Sequence, residues 1–124
     1  MALQHIRLEL ARCKAFPEGS AAHGYEFIAP LTGEGHLDVD IWRNHKDACT
    51  VKRFWGDDPE EHGRLVHLGS GWRFHYPGDD VDEDEPLFKL DRHTVLEGEY
   101  LSIHEEMEGM MTFKVVSIRE SPLG

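Results

Sequence analysis

Two stretches near the carboxyl end of the chain alternate apolar with polar residues, and a polar, glycine-containing link separates them. The first runs from Tyr100 to His104, the second from Met111 to Val115, and the link covers residues 105–110. A period of two on both sides of such a link predicts an antiparallel hairpin with one apolar face. That face carries Leu101, Ile103, Phe113 and Val115. Because a hairpin with one wet face is not stable alone, earlier strands must cover its apolar side.

The rest of the chain repeats this pattern in short segments bounded by Gly, Pro and Asp. Strands are predicted over residues 5–12, 23–29, 49–55, 64–68, 72–76 and 87–90. The loop between the third and fourth of these covers residues 56–63. About eight short strands predict a mostly β fold, a small, partly closed antiparallel β-barrel or a strongly coiled sheet. Strands this short favour an interior filled by side chains, and a ligand-carrying barrel is the alternative.

Residues 38–47 fit two structures. Apolar residues at positions 37, 39 and 41 alternate with acids, as in a strand, whereas positions 37, 41, 45 and 48 recur at helical spacing. Asp38 stands where an N-cap would accept hydrogen bonds from the first free amides of a helix. We therefore predict one short α-helix from Asp38 to Asp47, with a strand as the alternative.

Composition indicates one globular domain, residues 1–124, and disfavours two classes of partner. The chain has 24 acidic and 13 basic residues, a net charge of -11. Because such a surface repels phosphates, neither nucleic acid nor an anionic membrane is an expected partner. No signal peptide or membrane span is recognised, which predicts a cytoplasmic location. In that compartment Cys13 and Cys49 are expected to be free thiols, with a disulfide between them as the alternative. At the carboxyl end, residues after Arg119 are expected to fray.

The sharpest local feature is an acidic loop, residues 79–85, in which six of seven residues are carboxylates. Asp80, Asp82 and Asp84 occupy the alternate positions that begin a calcium-binding loop. However, Glu85 stands where such a loop needs glycine, and no helix is predicted on either side. We interpret the segment as a solvated loop, and loose association with a divalent cation is the alternative.

The nine histidines are scattered and do not form the local pairs that are typical of zinc or iron sites. His67 and His75 lie on strands that are predicted to be neighbours, which makes them candidate ligands. However, the aromatic residues 72, 74 and 76 are expected to face the core, so His75 should face water. Cys49 follows the predicted helix, where the helix dipole disfavours a thiolate. No catalytic residue or cofactor is therefore predicted.

The adjacent pair Phe54-Trp55 indicates where a contact surface could lie. Neighbouring residues of a strand point to opposite faces, so one of these rings must leave the barrel interior. It either packs under the helix or lies exposed beside basic side chains. We predict a non-catalytic interaction or binding module, whose partner is a carboxylate-bearing protein or a second copy. The predicted patch consists of Arg53, Trp55, Trp72, Arg73 and His75.

A metal-binding protein or metal-dependent enzyme is the alternative function. It would use scattered histidines together with nearby carboxylates. The candidate histidines are His36, His67, His75 and His104.

Three parts of the chain resemble a group of uncharacterised small bacterial mostly-β proteins. They are residues 23–31, residues 51–55, and residues 98–103 together with 112–115. The resemblance covers most of the chain. Since no activity is attached to that group, it implies no catalytic or cofactor-binding residue here.

Overall fold

The computed structural model describes residues 3–68, 71–77, 85–88, 94–105 and 109–121 of the chain. Within these ranges eight strands, one α-helix and one 3₁₀ helix form. In chain order the elements are β1 (Leu3–Leu10), β2 (Ser20–Pro30), α1 (Val39–Asn44), the 3₁₀ helix (Lys46–Ala48), β3 (Thr50–Trp55), β4 (Asp58–Leu68), β5 (Gly71–His75), β6 (Glu85–Phe88), β7 (Tyr100–Glu105) and β8 (Gly109–Ser121). The predicted mostly β class with one short helix is confirmed.

The sheet closes on itself. Each strand is antiparallel to the next one along the chain, and β8 returns to pair with β1. Leu3 lies opposite Ser121 at one end of this last ladder, and Leu10 lies opposite Phe113 at the other. Every described strand therefore has two neighbours, which removes the exposed edges that an open sheet must protect.

The barrel interior is filled by the side chains that alternate inward. The hairpin of β7 and β8 is confirmed, since Leu101 is 4% exposed and Ile103, Phe113 and Val115 are fully buried. At the centre, the ring centroid of Tyr25 lies 5.1 Å from that of Phe74 and 5.2 Å from that of Phe113. These separations are typical of packed aromatic pairs.

The helix α1 forms where it was predicted and is shorter than expected. Asp38 Oδ1 accepts hydrogen bonds from the amides of Asp40 and Ile41, at 3.1 and 3.2 Å, which confirms the predicted N-cap. Trp42 is 6% exposed and donates its indole N–H to the Leu65 carbonyl at 2.8 Å. Its ring also packs on Trp72, with centroids 5.6 Å apart. The helix thus anchors the β2–β3 connection on the barrel.

The predicted loop over residues 56–63 is wrong. Strand β4 already begins at Asp58, so the connection from β3 is a tight turn at Gly56 and Asp57. Gly56 has φ of +60°, a conformation that glycine adopts without strain. The acidic run that suggests a loop lies on the strand because Glu61 faces Arg53 across the ladder, with 3.4 Å between the charged groups.

The ends of three other segments also differ from the prediction. The link within the last hairpin is shorter, because β7 continues to Glu105 and β8 begins at Gly109. The expected fraying after Arg119 is wrong for Glu120 and Ser121, because they pair with Gln4 and Leu3 in the ladder of β1 and β8. Glu85, the last residue of the predicted acidic loop, begins β6, and residues 79–84 lie outside the described ranges.

Candidate functional site

The residues predicted to form one contact surface do not share a face of the barrel. Arg53 and Trp55 alternate with outward residues of β3 and point toward the interior. Trp72 is 4% exposed and also points inward. Arg73 and His75 alternate with the buried residues of β5 and lie on the outer face. The structure therefore brings together the pair on β3 and separately the pair on β5.

Arg53 and Trp55 are engaged in contacts within the barrel. The Arg53 guanidinium lies 4.4 Å above the Trp55 ring, and its Nη1 lies 3.4 Å from a carboxylate oxygen of Glu61. The opposite neighbour of Trp55 is His23, whose ring meets it edge-on at 4.7 Å. Phe16 in turn packs on His23 at 4.6 Å. This stack joins the β1–β2 loop to β3.

Phe54 is the member of the aromatic pair that leaves the interior, and a charged network covers it. The Arg7 guanidinium lies 4.5 Å from the centre of its ring. Arg7 also bonds Glu26 at 2.9 Å and Glu9 at 2.8 Å, and Lys52 bonds Glu26 at 3.0 Å. Burial by itself would raise the pKa of Glu26, but the hydrogen bonds from Lys52 and Arg7 outweigh it and hold that pKa below its ordinary value. The basic side chains on this face are thus already neutralised.

The candidate metal ligands are not brought together. The His67 ring packs 4.6 Å from that of Trp72, on the inner side of β4, whereas His75 lies on the outer side of β5. Asp80, Asp82 and Asp84 lie outside the described residues. His36 lies in the loop before α1, and His104 is exposed on β7. Among the residues that the structure describes, no group of three or more His, Cys, Asp or Glu side chains could hold a metal ion.

Cys49 and Ser20 carry the potentially nucleophilic atoms, and the surroundings of both are typical of residues with a structural role. Cys49 is fully buried, and burial raises the pKa of its thiol to about 11, which keeps it protonated at neutral pH. Ser20 Oγ lies 2.7 Å from His23 Nδ1 and accepts the backbone N–H of Ala22. The second bond is typical of a local turn. The imidazole is enclosed by its two aromatic neighbours, which is the setting of a packed histidine.

A groove of about 750 Å³ lies on the outside of the barrel, where β8 meets β1 and β7. One wall is the β1–β2 loop, and the floor is formed by outward-facing strand residues. The residues that give this outer groove its chemistry are Glu9, Arg12, Glu18, Tyr100, Thr112, Lys114 and Val116.

Register and loop geometry build the outer groove. Glu9 and Tyr100 both lie opposite Lys114, so β1, β8 and β7 present these side chains side by side. A register shift between Arg7 and Leu8 leaves Val116 as an extra residue of β8, and its side chain is exposed.

The β1–β2 loop returns close to β1 and so forms the wall of the outer groove. A Cβ at Gly19, whose φ is +76°, would come 2.7 Å from the Leu10 carbonyl oxygen. Glycine at this position therefore permits the close approach of the loop.

The charges and rings of the outer groove are available for contact. Glu9 is held by Arg7, but within the described residues Arg12, Glu18 and Lys114 make no ion pair. Tyr100 is 54% exposed and Val116 is 36% exposed. The site therefore offers two cations and one carboxylate around an exposed aromatic and aliphatic surface.

Sequence reasoning missed these residues, although one signal pointed to them. With Leu101 and Ile103 facing inward, Tyr100 had to face outward, and an aromatic ring on the outer face of a strand is a candidate contact residue. The groove itself joins residues from the first and last strands. Their neighbourhood follows only from barrel closure, which no local pattern encodes.

Comparison of the chain with protein-family models, with curated proteins and with solved structures finds no match. No helix in the described ranges is both long enough and apolar enough to cross a membrane.

Proposed function

We propose that the protein is a non-catalytic, cytoplasmic binding module that holds a protein partner in the outer groove. The observation that carries the proposal is the combination of Arg12 and Lys114, each without an ion pair among the described residues, with the exposed ring of Tyr100. Cations beside an exposed apolar surface suit a partner that offers carboxylates next to an apolar side chain.

The form of the outer groove favours a protein over a small molecule. Sites for small ligands are concave and bury most of the ligand, and their linings are correspondingly enclosed. Here Arg12, Glu18, Thr112 and Lys114 are all exposed and more than half of Tyr100 is accessible. A groove whose lining side chains are this exposed to solvent fits the side chains of another polypeptide.

The state of the reactive groups supports a role in binding without catalysis. The Cys49 thiol is buried with a raised pKa, and the His67 ring is packed against Trp72. Neither group lines the outer groove. In this proposal the barrel is a rigid support for its outer surface.

Titration of the ¹⁵N-labelled chain with a short peptide tests the proposal. The probe is acetylated, amidated Glu-Leu-Glu, and the control peptide is Lys-Leu-Lys. We expect saturable amide shifts centred on Tyr100, Lys114 and Arg12 with the first peptide and weaker ones with the second. Lys114→Glu should raise the Kd of the peptide about fivefold, because an exposed ion pair contributes about 1 kcal/mol.

Arg43→Glu is the matched control, because the Arg43 side chain is 60% exposed and lies on α1 rather than in the outer groove. It should leave the affinity for Glu-Leu-Glu unchanged. Shifts that do not saturate, or that centre on another face, would contradict the proposal.

A further inference from the structure

We propose that the protein partner is a second copy of this chain, with two outer grooves facing each other across a two-fold axis. This inference rests on the proposed function, since it names the occupant of the same site. Most soluble oligomers are symmetric, and a two-fold interface uses the same surface of both subunits. Such a surface must therefore be complementary to itself.

The outer groove meets that requirement in its charges. Glu18 and Lys114 line the same groove, and neither has an ion-pair partner among the described residues. A two-fold rotation can place Glu18 of one copy against Lys114 of the other, and symmetry then forms the same contact twice. Lys114 is held on β8, so its position does not depend on a loop.

The overall charge of the chain favours this face over the rest of the surface. Each copy carries -11, with 24 acidic and 13 basic residues, so two copies repel each other in most orientations. The lining of the outer groove departs from that ratio, because it contains two acidic residues, Glu9 and Glu18, and two basic residues, Arg12 and Lys114. Two copies can therefore meet here without bringing excess like charge together.

Exposed apolar side chains would form the centre of the interface between the two copies. Leu96, Tyr100, Met110 and Val116 are the exposed large hydrophobic side chains of the described residues. Two of them, Tyr100 and Val116, lie in the outer groove. Contact between the two grooves would reduce the exposure of both residues in both copies, and apolar burial is the main favourable term in most protein association.

Sedimentation equilibrium of the full chain over a range of micromolar concentrations tests the inference. We expect a mass that rises with concentration toward twice the 14.2 kDa of one chain. Lys114→Glu and Glu18→Lys should each weaken the dimer about 25-fold, because a contact worth about fivefold is lost twice. Arg43→Glu, outside the outer groove, should leave the dimer unchanged.

Mixing the two charge-reversed variants supplies the decisive measurement. A heterodimer of Lys114→Glu with Glu18→Lys has opposite charges at both contacts, so the equimolar mixture should recover the mass of a dimer. This recovery also shows that both variants are folded. A mixture that stays monomeric, or a dimer that ignores both substitutions, would overturn the inference.

The two proposals fail separately. A chain that is monomeric throughout the concentration range yet binds Glu-Leu-Glu in the outer groove refutes self-association and retains the binding module. Where the dimer forms, saturating Glu-Leu-Glu should dissociate it, because both occupy the same surface. A dimer that persists under saturating peptide overturns the inference.

Discussion

At the scale of single residues, Gly24 is the glycine whose Cβ position lies nearest to another atom of the chain. A Cβ on this residue would come 2.0 Å from the Leu8 carbonyl oxygen and 3.1 Å from the Phe54 ring. Because the nearer atom belongs to the backbone of β1, no side-chain rearrangement can make room. We expect Gly24→Ala to lower the free energy of unfolding by about 3 kcal/mol, as measured by urea denaturation.

Gly33 provides the matched control for that substitution. No heavy atom lies within 4 Å of a Cβ built at Gly33, and the residue is exposed in the β2–α1 connection. Gly33→Ala should change the free energy of unfolding by less than about 1 kcal/mol. Equal effects of the two substitutions would mean that the contact with β1 does not limit residue 24.

At the scale of elements, the charged network on the outer faces of β1, β2 and β3 makes stability depend on pH through Glu26. The pKa of Glu26 is lowered in the folded chain, so its contribution is complete above the unfolded value and is lost as the pH falls through the folded value. Glu26→Gln should cost about 1 kcal/mol at pH 7. The difference should shrink as the pH falls from 7 through the ordinary carboxyl value of 4.5 and below it.

Urea denaturation of the parent chain and of Glu26→Gln across this pH range provides the measurement. Glu60→Gln is the control, because Glu60 is 52% exposed and its carboxylate lies 3.8 Å from Lys52. It should cost less than about 0.5 kcal/mol at pH 7. A Glu26→Gln penalty that persists unchanged in acid would argue against an ionised Glu26 as its source.

The strands were predictable where a local pattern determines them, and their ends were not. The alternation around Ile103 and Phe113 specifies both the strands and the inward face, since one face must be buried. Residues 58–63 have a loop-like composition, with Pro59 among acids, and they become a strand because β3 supplies a partner with opposite charges. That partner is a tertiary contact, so composition alone points the other way.

At the scale of the whole molecule, the site depends on the closure of the barrel. Alternation could assign Tyr100 and Glu9 to outer faces, but their proximity needs the ladder between the first and last strands. The predicted patch failed to assemble for a related reason. Whether Phe54 or Trp55 faces inward is decided by the register of β3 against β2, which places Phe54 opposite Gly24 under the Arg7 guanidinium.

Closure of the barrel also predicts that it unfolds as one cooperative unit. The rate at which a thiol reagent labels Cys49 can test this. The Cys49 thiol is fully buried with a raised pKa, and the Cys49 carbonyl accepts the Leu65 amide at 2.9 Å. With Cys13 replaced by serine, labelling of Cys49 under native conditions should require global opening. Gly24→Ala, distant in sequence, should then accelerate labelling by the factor that it applies to unfolding, about 150-fold for about 3 kcal/mol.

The measurement is the rate of reaction with a thiol reagent at fixed pH, where labelling tracks the population of the open form if closing is faster than reaction. Gly33→Ala in the same background should leave the rate within about fivefold. If Gly24→Ala destabilises the chain in urea without accelerating the labelling, Cys49 is reached by local opening of the segment between α1 and β3. The barrel would then not behave as one cooperative unit.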